Sequence, residues 1–268
     1  VQTIMSLCTG YGGLDLAVER VCDTETRWVS DIDADAVAVQ TVRFPHATQL
    51  GDLKQVNWGQ YVGQVDVVTA GYPCQPFSAA GQRKGLADER HIWPWIAEAV
   101  RVLRPGTVVL ENVQGHLRLG FDIVVGDLAA MGRTARWGVV RASDTGAPHR
   151  RARLFIVSHL ADPDTEGRKR LARCRQTSRC EFVAAHDDNA GWQRFGPAIR
   201  RWETIMGRSA PAPLVDGTKQ LNAKLVEWMM GLPDGWVTDL IPNRRALKTL
   251  GNGVVPQQAE MALRMLLT

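Results

Sequence analysis

Ser6-Leu7-Cys8-Thr9-Gly10-Tyr11-Gly12-Gly13-Leu14-Asp15 joins an apolar run, Gln2–Cys8, to a segment, Leu14–Val21, whose apolar residues recur at three- and four-residue spacing. The first pattern predicts a buried strand and the second an amphipathic helix. Glycines in a strand-to-helix turn let the backbone come close to a ligand and aim the first N–H groups of the helix at it. The next apolar run, Arg27–Ile32, reaches Asp31 in Ser30-Asp31-Ile32-Asp33. That is about 20 residues on, where an acid commonly accepts hydrogen bonds from ribose hydroxyls. Gly51-Asp52-Leu53 offers a second acid at the same edge. An adenosine-bearing cofactor is favoured. The turn lacks the Gly-x-x-x-x-Gly-Lys-Ser/Thr pattern of a phosphate loop, so ATP hydrolysis has no support.

Outward from this turn the alternation continues. Val65–Ala70, Thr107–Glu111, Trp137–Ala142 and Arg153–Ser158 read as further strands, and Trp93–Leu103 has helical spacing. Short apolar runs alternating with helices predict an α/β fold with a largely parallel sheet. From about Ala161 to Ala212 the sequence turns to Arg, Asp, Gly and Pro with scattered tryptophans, and neither period is sustained. A separate small lobe or a set of ordered loops is expected there. Leu225–Met230 and Pro256–Leu267 return to helical spacing, the second after the turn-forming Gly251-Asn252-Gly253.

With 268 residues, 45% of them hydrophobic, the chain can build one large core or a large and a smaller one. No run reaches the ~18 apolar residues of a membrane helix, and the first residues lack a secretory signal, so a soluble, cytoplasmic protein with no membrane contact is expected. Five cysteines, at 8, 22, 74, 174 and 180, form no regular framework, which suits a reducing compartment. Cys174 and Cys180 with His186 lack a fourth ligand, and no metal is expected. The net charge is only +4, but between Arg141 and Arg179 ten basic side chains stand against four acidic. Such a segment suits a phosphate backbone or a solvated face.

Directly after the strand Val65–Ala70 comes Gly71-Tyr72-Pro73-Cys74-Gln75-Pro76-Phe77-Ser78-Ala79-Ala80-Gly81-Gln82. A cysteine between prolines at the carboxyl end of a sheet strand is placed for nucleophilic attack. Further on stand Glu111-Asn112-Val113, the pair Arg151-x-Arg153, and Gly251-Asn252-Gly253-Val254-Val255-Pro256. With the Gly10–Gly13 turn and Pro73-Cys74-Gln75, these five blocks in this order resemble the cytosine-C5 DNA methyltransferases along the whole chain.

The resemblance implies a Rossmann-like methyltransferase sheet that binds S-adenosylmethionine. Residues 1–161 would form the catalytic and cofactor-binding domain, 162–242 a small target-recognition lobe, and 243–268 a C-terminal segment that returns to complete the large domain. Cys74 would attack cytosine C6, Glu111 would serve N3, and Arg151 and Arg153 would orient the base and stabilise the thiolate. Cys8, Thr9, Gly10, Tyr11, Gly12, Gly13, Asp31, Ile32, Asp52, Leu53, Pro73, Asn252 and Val254 would contact the cofactor. Double-stranded DNA would meet Gln75, Ser78 and Gln82 near the base pocket, and Arg168, Lys169, Arg170, Arg173, Arg175, Arg200 and Arg201 in the lobe. The chain departs from the family's usual pattern at Cys8, where phenylalanine is common, at Pro148-His149, where Pro-Gln is, and at Gly253, where serine is frequent. The expected enzyme is a monomer, with a cognate restriction endonuclease acting separately as a possible partner. Two alternatives stay open: methylation of cytosine in structured RNA, and a DNA-binding protein without turnover.

Overall fold

In the computed structural model, residues 1–73, 92–161 and 192–268 are described. Seven strands form one sheet: β1 (Gln2–Leu7), β2 (Thr24–Ser30), β3 (Thr48–Gln49), β4 (Val67–Gly71), β5 (Thr107–Val113), β6 (Arg133–Val140) and β7 (Arg153–Leu160). Their order is β3-β2-β1-β4-β5-β7-β6. The first five pair in parallel, and β7 runs antiparallel to both β5 and β6. The expected α/β class holds, with a mixed sheet. The chain order reverses between β1 and β4, the switch point at which open α/β sheets bind ligands outside their carboxyl ends. Because β7 is antiparallel, its first residue, Arg153, lies at that same edge.

Eight α-helices flank the sheet among the described residues: α1 (Gly13–Val21), α2 (Ala34–Arg43), α3 (Trp93–Leu103), α4 (Phe121–Ala130), α5 (Gly196–Met206), α6 (Ala223–Met229), α7 (Asn243–Asn252) and α8 (Pro256–Leu266). Successive strand residues point to opposite faces, and the two cores divide accordingly. Met5, Val108 and Leu110 pack with Ile96, Val100 and Leu128 of α3 and α4. Ile4, Val67 and Val109 pack with Val18 of α1 and Leu263 of α8 on the other side. A third cluster unites Trp202, Trp228, Val237 and Leu250 with Tyr11 and Val39, so the described C-terminal residues share a core with the Gly-rich turn.

Several expected boundaries move. The second strand ends at Ser30, which leaves Asp31 in the loop beyond it, and the sixth runs Arg133–Val140 rather than Trp137–Ala142. The stretch without evident period contains α5, anchored by Ile199 and by the fully buried Trp202, whose Nε1 donates to Trp228 O at 2.8 Å. Gly251 and Asn252 are not a turn but the last residues of α7; Gly253 follows in extended conformation.

Candidate active site

The Gly-rich turn is held from all sides. Thr9 N and Oγ1 approach Ser30 O at 3.1 and 3.3 Å, fastening the turn to the end of β2. Gly10 N donates to Asp31 Oδ2 at 2.8 Å, and Gln40 Nε2 of α2 donates to Gly10 O at 2.9 Å. Behind the turn, buried Asp15 accepts from Ser6 Oγ of β1 at 2.9 Å and from Thr69 Oγ1 of β4. Burial pushes this carboxyl up to about 6. Gly13 is required by close approach, because a Cβ there would stand 2.2 Å from Val254 O.

On the open side of the turn, Asp31 keeps Oδ1 on Asp33 N at 2.9 Å. Burial raises its pKa, while the bonds from the Asp33 and Gly10 N–H groups act the other way. Ile32 beside it is 80% exposed, an apolar side chain left uncovered next to the acid. Asp52 caps a short turn through Lys54 N at 3.0 Å, and Ser30 Oγ ties Gly51 O at 2.7 Å, so this second acid is fixed to the same edge. Half-buried Cys8 sits in a left-handed conformation (φ 52°), and burial, reinforced by the negative charges of Asp31 and Asp52, pushes its thiol up to about 12. Two expected contacts face elsewhere. The Tyr11 ring and Leu53 are buried in cores, and only the Tyr11 backbone belongs to the turn.

The second group of residues converges at the carboxyl end of β4 and β5. Glu111 pairs in register with Gly71, and its Oε2 lies 3.6 Å from where a Gly71 Cβ would be. Oε1 meets Arg153 Nε at 2.9 Å. Glu111 is 6% exposed, and burial raises its pKa to about 7 against the opposing pull of Arg153 and Arg151. Asn112 Nδ2 donates to Tyr72 O at 3.2 Å and so ties β5 to the segment entering Pro73. Pro73 is exposed.

Arg151 adopts φ 35°, a conformation uncommon for a residue with a Cβ. Its Nη2 donates to Gly251 O at 2.8 Å and to Gly253 O at 2.6 Å. Its own carbonyl accepts from Gln258 Nε2 at 2.7 Å. Gln258 is fully buried; sequence reading did not single it out, since a glutamine in the first turn of α8 has no pattern that distinguishes it. Val254 packs near Gly71, while Asn252 is exposed. Thus Glu111, Arg151, Arg153, Val254 and the entrance to residue 74 come together.

Cys74, Gln75, Ser78 and Gln82 lie outside the described residues, as do Arg168, Lys169, Arg170, Arg173, Arg175, Cys174, Cys180 and His186. Of the lobe arginines expected to meet DNA, Arg200 and Arg201 are described, on α5. Arg200 is partly buried, whereas Arg201 is exposed and donates through Nε to Gly146 O at 3.2 Å. Among the described residues no helix is long and apolar enough to cross a membrane, and no group of His, Cys, Asp and Glu could hold a metal ion.

Solved structures with this architecture include Spodoptera frugiperda DNMT2 (TM-score 0.69, 17% identity, all of both chains covered). Another is a putative DNA modification methyltransferase encoded within an Escherichia coli prophage (TM-score 0.65, 17% identity, 98% of each chain). The fold is therefore that of the Rossmann-like methyltransferases. In sequence, a model of C-5 cytosine-specific DNA methylases matches residues 2–179; the chain belongs to that family. The Type II methyltransferase M.NlaX of Neisseria lactamica is 34% identical over 214 residues, 77% of this chain and 66% of that protein. M.BsuFI of Bacillus subtilis is 34% identical over 168 residues, 60% of this chain and 40% of its own length. The matches span about 40% to 66% of these two curated relatives.

Proposed function

We propose that the protein transfers a methyl group from S-adenosylmethionine to C5 of a cytosine flipped out of a specific duplex DNA sequence, through an adduct between Cys74 and C6. The observation that carries this reading is Glu111, a buried carboxyl held on Arg153 at 2.9 Å and paired in register with Gly71, three residues before Cys74 in sequence. The exposed Ile32, the turn at Gly10 and the acids Asp31 and Asp52 fit an adenosine: an apolar surface for the base beside carboxylates for its ribose. When bound, S-adenosylmethionine supplies an electrophilic methyl group on a sulfonium.

Cytosine C5 is too weak a nucleophile by itself. The Cys74 thiolate adds to C6, forming an S–C bond and moving the C5–C6 π electrons toward C5, N3 and O2. Glu111, as the acid, gives its proton to N3, while Arg153 and Arg151 place positive charge where O2 and the thiolate carry negative charge. C5 would then take the methyl group as the S–CH3 bond breaks, its electron pair staying on the sulfur of the leaving S-adenosylhomocysteine. Loss of the C5 proton to a base, with water as the candidate, restores the C5–C6 double bond and expels the thiolate, and N3 returns its proton to Glu111. Base flipping is what makes C5 and C6 reachable. The arginines of residues 162–242 would hold phosphates and read guanines, the two functions differing in whether loss of a side chain weakens all DNA or relaxes one position.

The direct test is bisulfite sequencing of duplex DNA incubated with the protein and S-adenosylmethionine, with tRNA treated in parallel. Protection of one cytosine within one DNA sequence is expected. Protection in tRNA alone would move the substrate to RNA, and protection in neither would overturn the activity.

Asp31 provides a separate test of the cofactor site. Asp31→Ala should weaken S-adenosylmethionine binding by roughly 1–3 kcal/mol, the loss expected when a carboxylate that accepts hydroxyl hydrogen bonds is removed. Asp31→Asn, which keeps an acceptor for Gly10 N, should retain part of the affinity. Calorimetry on the DNA-free protein measures both; an alanine variant within twofold of wild type would remove Asp31 from the site.

A further inference from the structure

Tyr11 occupies the middle of the Gly-rich turn, yet its side chain turns away from the open side into the third core cluster, where it is fully buried. Its hydroxyl donates to Val254 O at 2.6 Å. A Cβ on Gly253 would stand 1.9 Å from Tyr11 Cε1, so the ring lies flush against a backbone that can carry no side chain. Tyrosine at 11 and glycine at 253 are thus complementary, although 242 positions separate them in sequence, close to the separation of 243 between Tyr11 and Val254. The Tyr11 carbonyl is fixed in turn by Trp236 Nε1 at 2.9 Å.

One residue earlier along the same backbone, Gly253 O accepts from Arg151 Nη2 at 2.6 Å. The path from the cofactor turn to Arg151 therefore runs through two hydrogen bonds and the single Gly253–Val254 linkage. The Val254 carbonyl is also the atom over which Gly13 is seated. Arg151 needs such external support: its φ of 35° is uncommon, and its Nε is buried without a hydrogen-bond partner among the described residues.

We infer that Tyr11 is a positioning residue for Arg151, setting the arginine through Val254 and Gly253 so that the cofactor turn and the base-binding arginine are aligned together. The consequence for catalysis rests on the function proposed above; the geometric claim does not. Tyr11→Phe deletes only the hydroxyl and keeps the ring on Gly253, which makes it the variant of choice.

Two measurements on the full chain separate the claims. The first is the rate at which phenylglyoxal modifies Arg151 in the DNA-free protein, followed by mass spectrometry. Loss of one buried hydrogen bond corresponds to about a fivefold change in an opening equilibrium, so Arg151 should react about fivefold faster in Tyr11→Phe, with exposed Arg201 unchanged. Equal Arg151 rates overturn the inference whether or not the protein methylates DNA. The second is turnover: kcat should fall about fivefold with KM for S-adenosylmethionine within twofold, and in an Arg151→Lys background Tyr11→Phe should cost nothing more. Losses that multiply would mean that Tyr11 acts independently of Arg151 and would equally overturn it. A wild-type protein without methylation activity would instead sink the proposed function and leave the modification result to decide the inference.

Discussion

Cys74→Ser will abolish methyl transfer, with a loss on the order of a thousandfold or more, while cofactor binding and folding remain as in wild type. A few per cent of an ordinary cysteine is thiolate at neutral pH and is intrinsically very nucleophilic, whereas a serine hydroxyl supplies almost no oxyanion there. The exchange of sulfur for oxygen changes the size of the side chain little. On the function proposed above, cations beside the thiolate would raise its fraction further; Arg153 lies on Glu111, and Arg151 on the carbonyls of Gly251 and Gly253. A duplex carrying 5-fluorocytosine at the target should trap the wild-type protein as a covalent complex, because fluorine at C5 cannot leave as the proton does. The serine variant should form no such complex. Undiminished turnover by Cys74→Ser would remove this residue from the mechanism, and the nucleophile would then have to be sought elsewhere at the carboxyl edge of the sheet.

What was readable in the sequence follows from where each residue finds its partners. α3 was legible over its whole length, Trp93–Leu103, because its buried side chains Trp93, Ile96, Ala97, Val100 and Leu103 recur at helical spacing. α2 was not. Two of its four buried residues are polar: Asp35 is paired with Arg245 of α7, and Gln40 reaches Gly10 O, so the helical stripe carries no apolar signature. Strand direction was also hidden, since the period of two is the same for parallel and antiparallel neighbours; the reversal of β7 emerges only from its pairing with β5 and β6. That reversal is what brings Arg153 to Glu111. Spacing along the chain could not place these two residues together, and only the order of motifs suggested it. The support beneath them was less legible still. The Gln258 bond to the Arg151 carbonyl and the Tyr11 bond to Val254 join residues more than a hundred positions apart, and neither side chain belongs to a pattern that names its partner.

Glu111→Gln should slow the chemical step by about a hundredfold or more and leave DNA affinity nearly intact. The amide can still hydrogen-bond the base at N3 but has no proton to give as charge develops there, so the loss belongs to the transition state and not to binding. Single-turnover rates at saturating DNA and cofactor measure it. The pH dependence is the sharper test. Burial raises the Glu111 pKa from 4.5 to about 7, so the acid form is depleted as pH rises through about 7, and the wild-type rate should stop rising or fall there even as Cys74 becomes more ionised. The glutamine variant should lack that limb. The sign for stability is the same. A folded-state pKa above the unfolded one means that proton binding favours the fold, fully below pH 4.5 and progressively less as pH rises through about 7. Asp15, raised to about 6, contributes in the same direction, and His116 and His149, whose pKa values burial lowers, in the opposite one, so the expected result is a difference: between pH 5 and pH 8 the wild type should lose more thermal stability, or gain less, than the variant. The difference between the two melting series isolates Glu111 from Asp15 without requiring any turnover. Parallel melting series would show that Glu111 does not titrate in this window, and together with an unchanged single-turnover rate they would leave it as no more than a structural partner of Arg153.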